Sequence, residues 1–443
     1  MGPRRARLGR MVDGRAGWLV PVVAWAGALW AISALQQLAW SRAHGAPWHA
    51  TDLLWPHPFG TTGRIRFDAD RFVALARRGY RPADHDQAVF PLYPLAIRWL
   101  AAATGADEAV AAVRISLASG LAVALLWWRW MQVKGIDGLT RMAGLLVLLA
   151  YPWAFVLYGV AYSDGLALAL VLAAVLLVEA RHPVLAALVA VLVAAARPPG
   201  VLLVPALVLL ALEVDGAFVL RPATGGPAGT AGTAGAASAD GPSGRTGALG
   251  RWWRGATAPL RQGHVVRERL RWPQAAPLAG LIGLAAFAGW NWRRVGSPLA
   301  FASAQRYFGH RALTDPLLWV KADLVRNGNV FVTRLDPLHQ ALSLAVVVLV
   351  VATVPAVGRR FGWGYALLAA LSAVVAWAST VLFAAAGRYL LPVVPFALAA
   401  VLPWLCRRPW RLVVVLVAFV AWQVALVWGF SGPLVPIINQ AAW

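Results

Sequence analysis

The chain has 443 residues, of which 60% are hydrophobic and only 13% charged. Soluble domains carry about 25% charged residues, so two or three ordinary soluble domains are excluded; the apolar residues also fall in long blocks rather than in alternation. The formal net charge is nevertheless +22, from 40 Lys and Arg against 18 Asp and Glu, and that charge has to sit outside hydrocarbon. A single cysteine, Cys406, excludes an intramolecular disulfide framework.

In chain order, Arg4, Arg5, Arg7, Arg10 and Arg15 precede an apolar run over about 18–40. It is long enough to span a bilayer and is read as an uncleaved first helix. Further apolar runs follow at about 110–130, 142–160, 164–180, 183–196, 199–213, 276–292, 339–357, 363–385, 389–405 and 411–430. The expected fold class is therefore all-α, a polytopic integral membrane protein with roughly 11 transmembrane helices. The fifth and sixth runs are short and are split by Arg197-Pro198-Pro199-Gly200. That pattern predicts a broken or re-entrant hairpin, which survives at membrane depth only where it lines protein or a wet cavity.

Short basic turns set the expected orientation. A cytoplasmic N-terminus puts Arg129, Lys134 and Arg141, then Arg181, Arg359 and Arg360, and Arg407, Arg408 and Arg411 on the inner side together. Two long segments, about 41–109 and 293–338, then lie outside. They hold ten of the 18 acids: Asp52, Asp68, Asp70, Asp84, Asp86, Asp107, Glu108, Asp315, Asp323 and Asp336. The inner segment 214–275 contains a Gly/Ala/Thr/Ser-rich stretch over 222–250 that cannot bury a core. After it, Arg251 to Trp272 predicts either a surface helix on anionic lipid or a merely solvated basic loop, with no nucleic-acid partner expected. The chain thus divides into an N-terminal transmembrane module (1–213), a basic, partly disordered linker (214–275) and a C-terminal transmembrane module (276–443).

The outer segments carry the polar residues with chemical potential. Asp68 and Asp70 open a helical pattern in which Phe72, Leu75 and Ala76 share a face, and Gly79 suits its end. Surface helices of this first outer loop, capped and amphipathic, account for the pattern as readily as a site does. Phe90-Pro91-Leu92-Tyr93-Pro94 is a stiffened aromatic segment, either an interfacial belt or a rigid wall for a lipid or sugar. Asp164 is the one acid between two apolar helices, serving as a helix cap or as a site residue. Gln305 and Arg306 open the second outer loop, and Arg388-Tyr389 begins a later span at the same face. Arg197, Arg306 and Arg388 suit phosphate oxygens, because a guanidinium forms charge-assisted, bidentate bonds. Asp84-His85-Asp86 matches no metal-ligand spacing and is read as solvated loop. No glycine-rich phosphate cradle, nucleophile elbow or His-Glu-x-x-His is present, and neither metal nor cofactor is expected.

Taken in order, these segments resemble the bacterial branch of the GPI mannosyltransferase 2 (PIG-V-like) family, polytopic glycosyltransferases of the GT-C type. Phe67-Asp68-Ala69-Asp70-Arg71-Phe72 through Arg78-Gly79-Tyr80 is similar to that family's Trp-Asp-x-x-x-Tyr … Gly-Tyr motif, with Phe67 for Trp. Phe90-Pro91-Leu92-Tyr93-Pro94 matches its Phe-Pro-Leu-Tyr-Pro, and Tyr162-Ser163-Asp164 its Tyr-Ser-Glu. Ala196-Arg197-Pro198-x-Gly200, Gly296-x-Pro298-x-Ala300-Phe301 with Ala304-Gln305, and Arg388-Tyr389 resemble later motifs.

The resemblance implies a GT-C-like fold and a polyprenyl-phosphate-linked sugar donor, with mannose as the sugar. Transfer would go with inversion to a hydroxyl of a glycan, lipid or protein acceptor at the outer face of a cell membrane. It implies Asp68 as general base, with Asp70 second, and Arg306, Arg388 and Arg197 on the leaving phosphate. Tyr93, Asp164, Gln305 and Tyr389 complete the expected substrate contacts. Membrane lipids are the surrounding partner. The competing classes are a transporter or flippase of lipid-linked sugars, which calls for repeated halves that the sequence does not show, and a scaffold acting through the basic inner segment.

Overall fold

An apolar block in hydrocarbon satisfies its backbone polar groups within the segment, so it folds as a helix. The computed structural model describes residues 17–47, 49, 56–220, 263–305, 336–379 and 385–432. That part is all-α apart from one two-stranded ribbon. Up to the ribbon the helices are α1 (Leu19–His44), α2 (Asp68–Arg78), α3 (Leu92–Thr104), α4 (Glu108–Val133), α5 (Gly138–Ala150), α6 (Asp164–Glu179), α7 (Pro183–Ala196) and α8 (Leu203–Val214). After it come α9 (Leu281–Val295), α10 (Ala300–Ala304), α11 (Asp336–Phe361), α12 (Trp363–Ser379), α13 (Ala386–Tyr389), α14 (Val394–Cys406) and α15 (Pro409–Ser431). Four helices, α1, α4, α11 over Leu338–Phe361, and α15, are long and apolar enough to cross a membrane. The bent pair of α5 with Pro152–Tyr158 makes a fifth if counted as one span. The remaining expected spans are helical but shorter.

The last residues of α4, α6 and α8 and the first of α12 gather at one place, which marks one end of the bundle, the far end. Lys134 pairs there with Glu179 and donates to Phe361 O at 3.1 Å. Tyr365 Oη donates to Glu179 at 2.9 Å and accepts from Trp130 Nε1 at 2.8 Å. Glu213 accepts from the Trp363 and Gly364 N–H groups at 2.7 and 3.0 Å, which caps α12. The other end carries the first loop, the start of α6, the end of α7 and α13.

Two breaks interrupt the helical walls. The break expected at 197–200 is present: α7 ends at Ala196, Arg197 is extended (φ −155°, ψ 150°) and Pro198–Leu202 forms a 3-10 turn leading into α8. The run 142–160, expected as one continuous span, is instead bent by 86° where α5 gives way to the 3-10 segment Pro152–Tyr158. Proline lacks an N–H and drives its predecessor out of the helical region; Tyr151 is accordingly extended in ψ (130°). The carbonyls released there are taken up by side chains. Gln423 Nε2 donates to Leu149 O and Tyr151 O at 3.1 Å each, Tyr158 Oη to Leu149 O at 2.7 Å, and Trp25 Nε1 to Leu157 O at 3.2 Å. Gly120 lets α4 pass directly beneath, because a Cβ there would lie 1.9 Å from Leu157 O.

Helices from before and after the expected linker pack against one another. α15 packs on α1, α5 and Pro152–Tyr158; α14 packs on α5; and α12 packs on α8. Within the expected linker, β1 (Phe218–Leu220) pairs antiparallel with β2 (Gly263–Val265), Phe218 opposite Val265. Residues 221–262, with the low-complexity stretch, lie outside the described residues. Where the expected surface helix can be followed, it is a strand and a 3-10 turn, Arg267–Arg269. A second 3-10 segment, Trp272–Gly280, then leads into α9.

Candidate functional site

The site is built by fastening the first loop to the bundle. Arg64, 1% exposed, donates from Nε to Gln36 Oε1 at 2.9 Å, from Nη2 to Ser33 Oγ at 2.6 Å and from Nη1 to Gly60 O at 2.9 Å. Burial pushes its guanidinium down to about 10. Ser431 Oγ donates to Gly63 O at 2.8 Å and Arg66 to Gly432 O at 2.7 Å. The loop is therefore held by α1 and by the end of α15.

Directly after these ties, Phe67 has φ 54° and ψ −123°, a left-handed conformation that costs a non-glycine residue about 1–3 kcal/mol. It turns the chain into α2. Neither aspartate caps this helix; both stand in its first turn, where carboxylates complement the dipole. Gly79, at φ 76°, ends it as expected. α2 is docked on the bundle by its apolar face. Its residues Ala69, Val73, Leu75 and Ala76 are buried, and it packs on α3 and α4.

That packing aims Asp68 inward. Its carboxyl, 46% exposed, accepts at Oδ2 from both Nη1 and Nη2 of Arg388, at 3.2 Å each. Arg388 is 8% exposed at its side chain, and its guanidinium lies 4.9 Å from the Tyr162 ring centre. Its Nε is buried without a hydrogen-bond partner and stands 3.9 Å from Asp164 Oδ1. Asp164, 3% exposed, pairs with Arg197 across from the α7 break. Two carboxylates and two arginines from four segments thus form one chain of charges. Backbone packing delivers Arg388 to it. A Cβ on Gly387 would meet the Trp153 ring at 2.5 Å, and Tyr151 Oη donates to Gly387 O at 2.8 Å.

These groups line a cavity of about 150 Å³. Asp68, Asp164, Arg197, Gln305, Arg388 and Tyr389 all line it, so six of the expected site residues are brought together. Gln305 also donates to Ala88 O at 2.6 Å, tying α10 to the first loop. Asp70 is not among the lining residues. Two positions along α2 is about 200° around the helix, and Asp70 faces Arg66 instead. Partial burial pushes its carboxyl up, opposed by the nearby Arg66 charge. Tyr93 is not among the lining residues: it is fully buried, bonded to Ser116 Oγ at 2.7 Å and Ala112 O at 3.1 Å, and packed edge-on against Phe72. From the same motif it is Phe90 that lines the cavity. Arg306 lies outside the described residues.

Other residues of the site were not assigned to it from the sequence. Arg71 and Phe72 line the cavity one turn beyond Asp68, a placement visible in their i+3 and i+4 spacing once α2 is known to face inward. Tyr162 forms the surface beneath Arg388. Asp86, read as part of a solvated loop, is 0% exposed. It accepts from Arg78 Nη1 at 2.9 Å, Arg71 Nη2 at 3.2 Å and the Arg81 N–H at 2.9 Å. Among the described residues no group of three or more His, Cys, Asp or Glu side chains could hold a metal ion.

Chemically, the arrangement offers an accessible carboxylate able to take a proton, beside arginines able to hold an anion, in a pocket walled partly by Phe90, Pro198, Pro199 and Val375. Compared with protein-family models, curated proteins and solved structures, the chain matches none of them.

Proposed function

We propose that the protein is a polytopic membrane glycosyltransferase of the GT-C type, similar to the PIG-V-like mannosyltransferases. In this reading it has about eleven spans, a cytoplasmic N-terminus and its site at the outer face. It transfers a sugar, mannose by the resemblance, from a polyprenyl phosphate to an acceptor hydroxyl. The observation that carries the reading is the Asp68–Arg388–Asp164–Arg197 chain around one cavity, with Asp68 accessible and the arginines nearly buried.

A transferase using a lipid phosphate donor has two electrostatic tasks. The acceptor O–H must lose its proton as the oxygen attacks C1 of the sugar, and a carboxylate within hydrogen-bond reach takes it. The C1–O bond to phosphate breaks on the opposite side, and the departing phosphate needs fixed cations. Asp68 serves the first task; Arg388 and Arg197 serve the second. A single displacement of this kind inverts the configuration at C1. The apo pairing gives the steps an order. A phosphate arriving at Arg388 competes with Asp68 for the guanidinium, so donor binding frees the carboxylate to act as base. The buried Nε of Arg388 is a donor awaiting such an anion.

The test is sugar transfer from labelled polyprenyl-phosphate mannose in membranes carrying the wild type or Asp68→Asn. Transfer lost in the variant, at equal protein level, supports the assignment; unchanged transfer removes Asp68 as base. Wild-type transfer independent of any lipid donor sinks the reading. Movement of a lipid-linked sugar across sealed vesicles without a new glycosidic bond replaces it with a flippase.

A further inference from the structure

Three arginines line the cavity, Arg71, Arg197 and Arg388, together with two carboxylates, Asp68 and Asp164. The carboxylate that pairs with Arg197 and the one that pairs with Arg388 are themselves lining residues. Arg71 differs. Its partner Asp86 is fully buried and is not a lining residue. The Arg71–Asp86 pair is therefore a dipole with its positive end toward the cavity and its negative end set behind, whereas the other two pairs present both signs. Asp86 cannot easily follow a ligand, because Arg78 and the Arg81 N–H hold it from other directions. Nη2 of Arg71 is also bonded to Asp84 O, which fixes the fork from the loop side. The arginine is on the same face of α2 as Asp68, one turn along, and 24% of its side chain is exposed.

We infer that Arg71 reads an oxyanion of the bound substrate, from the α2 wall of the cavity that Arg197 and Arg388 also line. This inference rests on the glycosyltransferase reading and adds a recognition element to it. The oxyanion is either the donor's own phosphate, gripped from a second side, or an anionic group on the acceptor, held beside the base. A guanidinium suits both, since its planar fork matches two oxygens of one phosphate or carboxylate. In the Trp-Asp-x-x-x-Tyr pattern that this segment resembles, Arg71 falls on an unspecified position, so the property belongs to this chain.

The experiment is a titration of the purified full-length protein in detergent, followed by the fluorescence of its 24 tryptophans. One arm uses undecaprenyl phosphate against uncharged undecaprenol; the other uses mannose 6-phosphate against mannose. Arg71→Ala should weaken one of the two anionic ligands by roughly tenfold or more, the loss of a charge-assisted contact, and leave its neutral counterpart unchanged. Arg71→Lys should restore part of the loss. Weakening in the first arm assigns the donor phosphate, and in the second an acceptor anion. Arg78→Ala is the control, because Arg78 shares Asp86 but does not line the cavity. The inference is overturned if Arg71→Ala binds both anions like the wild type, or if Arg78→Ala loses as much, which would make the clamp merely structural. If the wild type itself binds neither anion, the donor reading fails first and the inference falls with it, a result distinct from failure of Arg71 alone.

Discussion

At the far end of the bundle Glu213 gives both carboxylate oxygens to backbone N–H groups, and Glu179 is enclosed by Lys134 and the Tyr365 hydroxyl. At the site end Asp68 meets the two Nη atoms of one arginine through a single oxygen and leaves nearly half its surface open. Both clusters join helices that are distant in sequence, and both hold two acids. The far-end acids are committed to the fold: they cap α12 and fasten α4 and α6 to it. The site-end charges are divided. Asp164 is buried and bound to Arg197 and Arg388, whereas Asp68 can leave its arginine and still find water. A carboxylate that a fold can release is available for proton transfer; one that it cannot release is a fastener.

This contrast can be broken by experiment. The largest effect is expected from Asp68→Asn: transfer falls by about 10²–10⁴-fold while the detergent melting temperature stays near the wild-type value, both measured on one preparation. A parallel fall in melting temperature would return Asp68 to the fasteners. Asp164→Ala strips the carboxylate from two buried arginines, and breaking such pairs costs about 3–5 kcal/mol. Reduced folded yield and a lowered melting temperature should therefore accompany lost activity; a stable, inactive variant would instead move Asp164 to the chemical side. Gly387→Ala overpacks Trp153 at about 1–3 kcal/mol and displaces Arg388, so donor affinity should fall with stability. Glu179→Gln should cost about 1–3 kcal/mol of stability and leave the transfer rate of the remaining folded protein unchanged; a changed rate would couple the two ends.

The smallest effect concerns Asp70. Its folded carboxyl is pushed up by partial burial, so the folded state holds its proton to higher pH than the unfolded chain. Stability from this group is then lost as pH rises through the carboxylate range. Asp70→Asn should flatten that slope in melting curves across the range and leave transfer within twofold. A large drop in transfer would restore Asp70 as base.

The parts of this arrangement visible in sequence are those carried by local chemistry. Gly79 ends α2, and the Arg197-Pro198-Pro199-Gly200 break is where the prolines demand it. Asp68 is legible as the opening of a helical pattern, and Asp164, Arg197 and Arg388 as charges at the edges of apolar runs. The bend after α5 was equally local, since Tyr151-Pro152 carries the signal, but the apolar run through it outweighed one proline. What sequence does not convey is which side of a short element faces inward. Phe90 and Tyr93 share one motif, and only packing decides that the first lines the cavity while the second braces Phe72 from behind. Asp86 looked solvated because its partners are two arginines of α2, brought to it by the turns over 79–85.

The bend after α5 has one more consequence, in depth. At about 1.5 Å per residue, α4 with its 26 residues is about 39 Å long and α6 with its 16 is about 24 Å. The two are level at the far end, where Lys134 meets Glu179. Because Pro152–Tyr158 runs across the bundle instead of along it, α6 begins about 15 Å short of the height at which α4 begins. Asp164, in its first turn and 3% exposed, is therefore set below the level at which α4 begins. On the proposed function the donor's charged group has to reach that depth to meet Arg197 and Arg388, which favours a slender anionic head on a flexible tether over a bulky or rigid one.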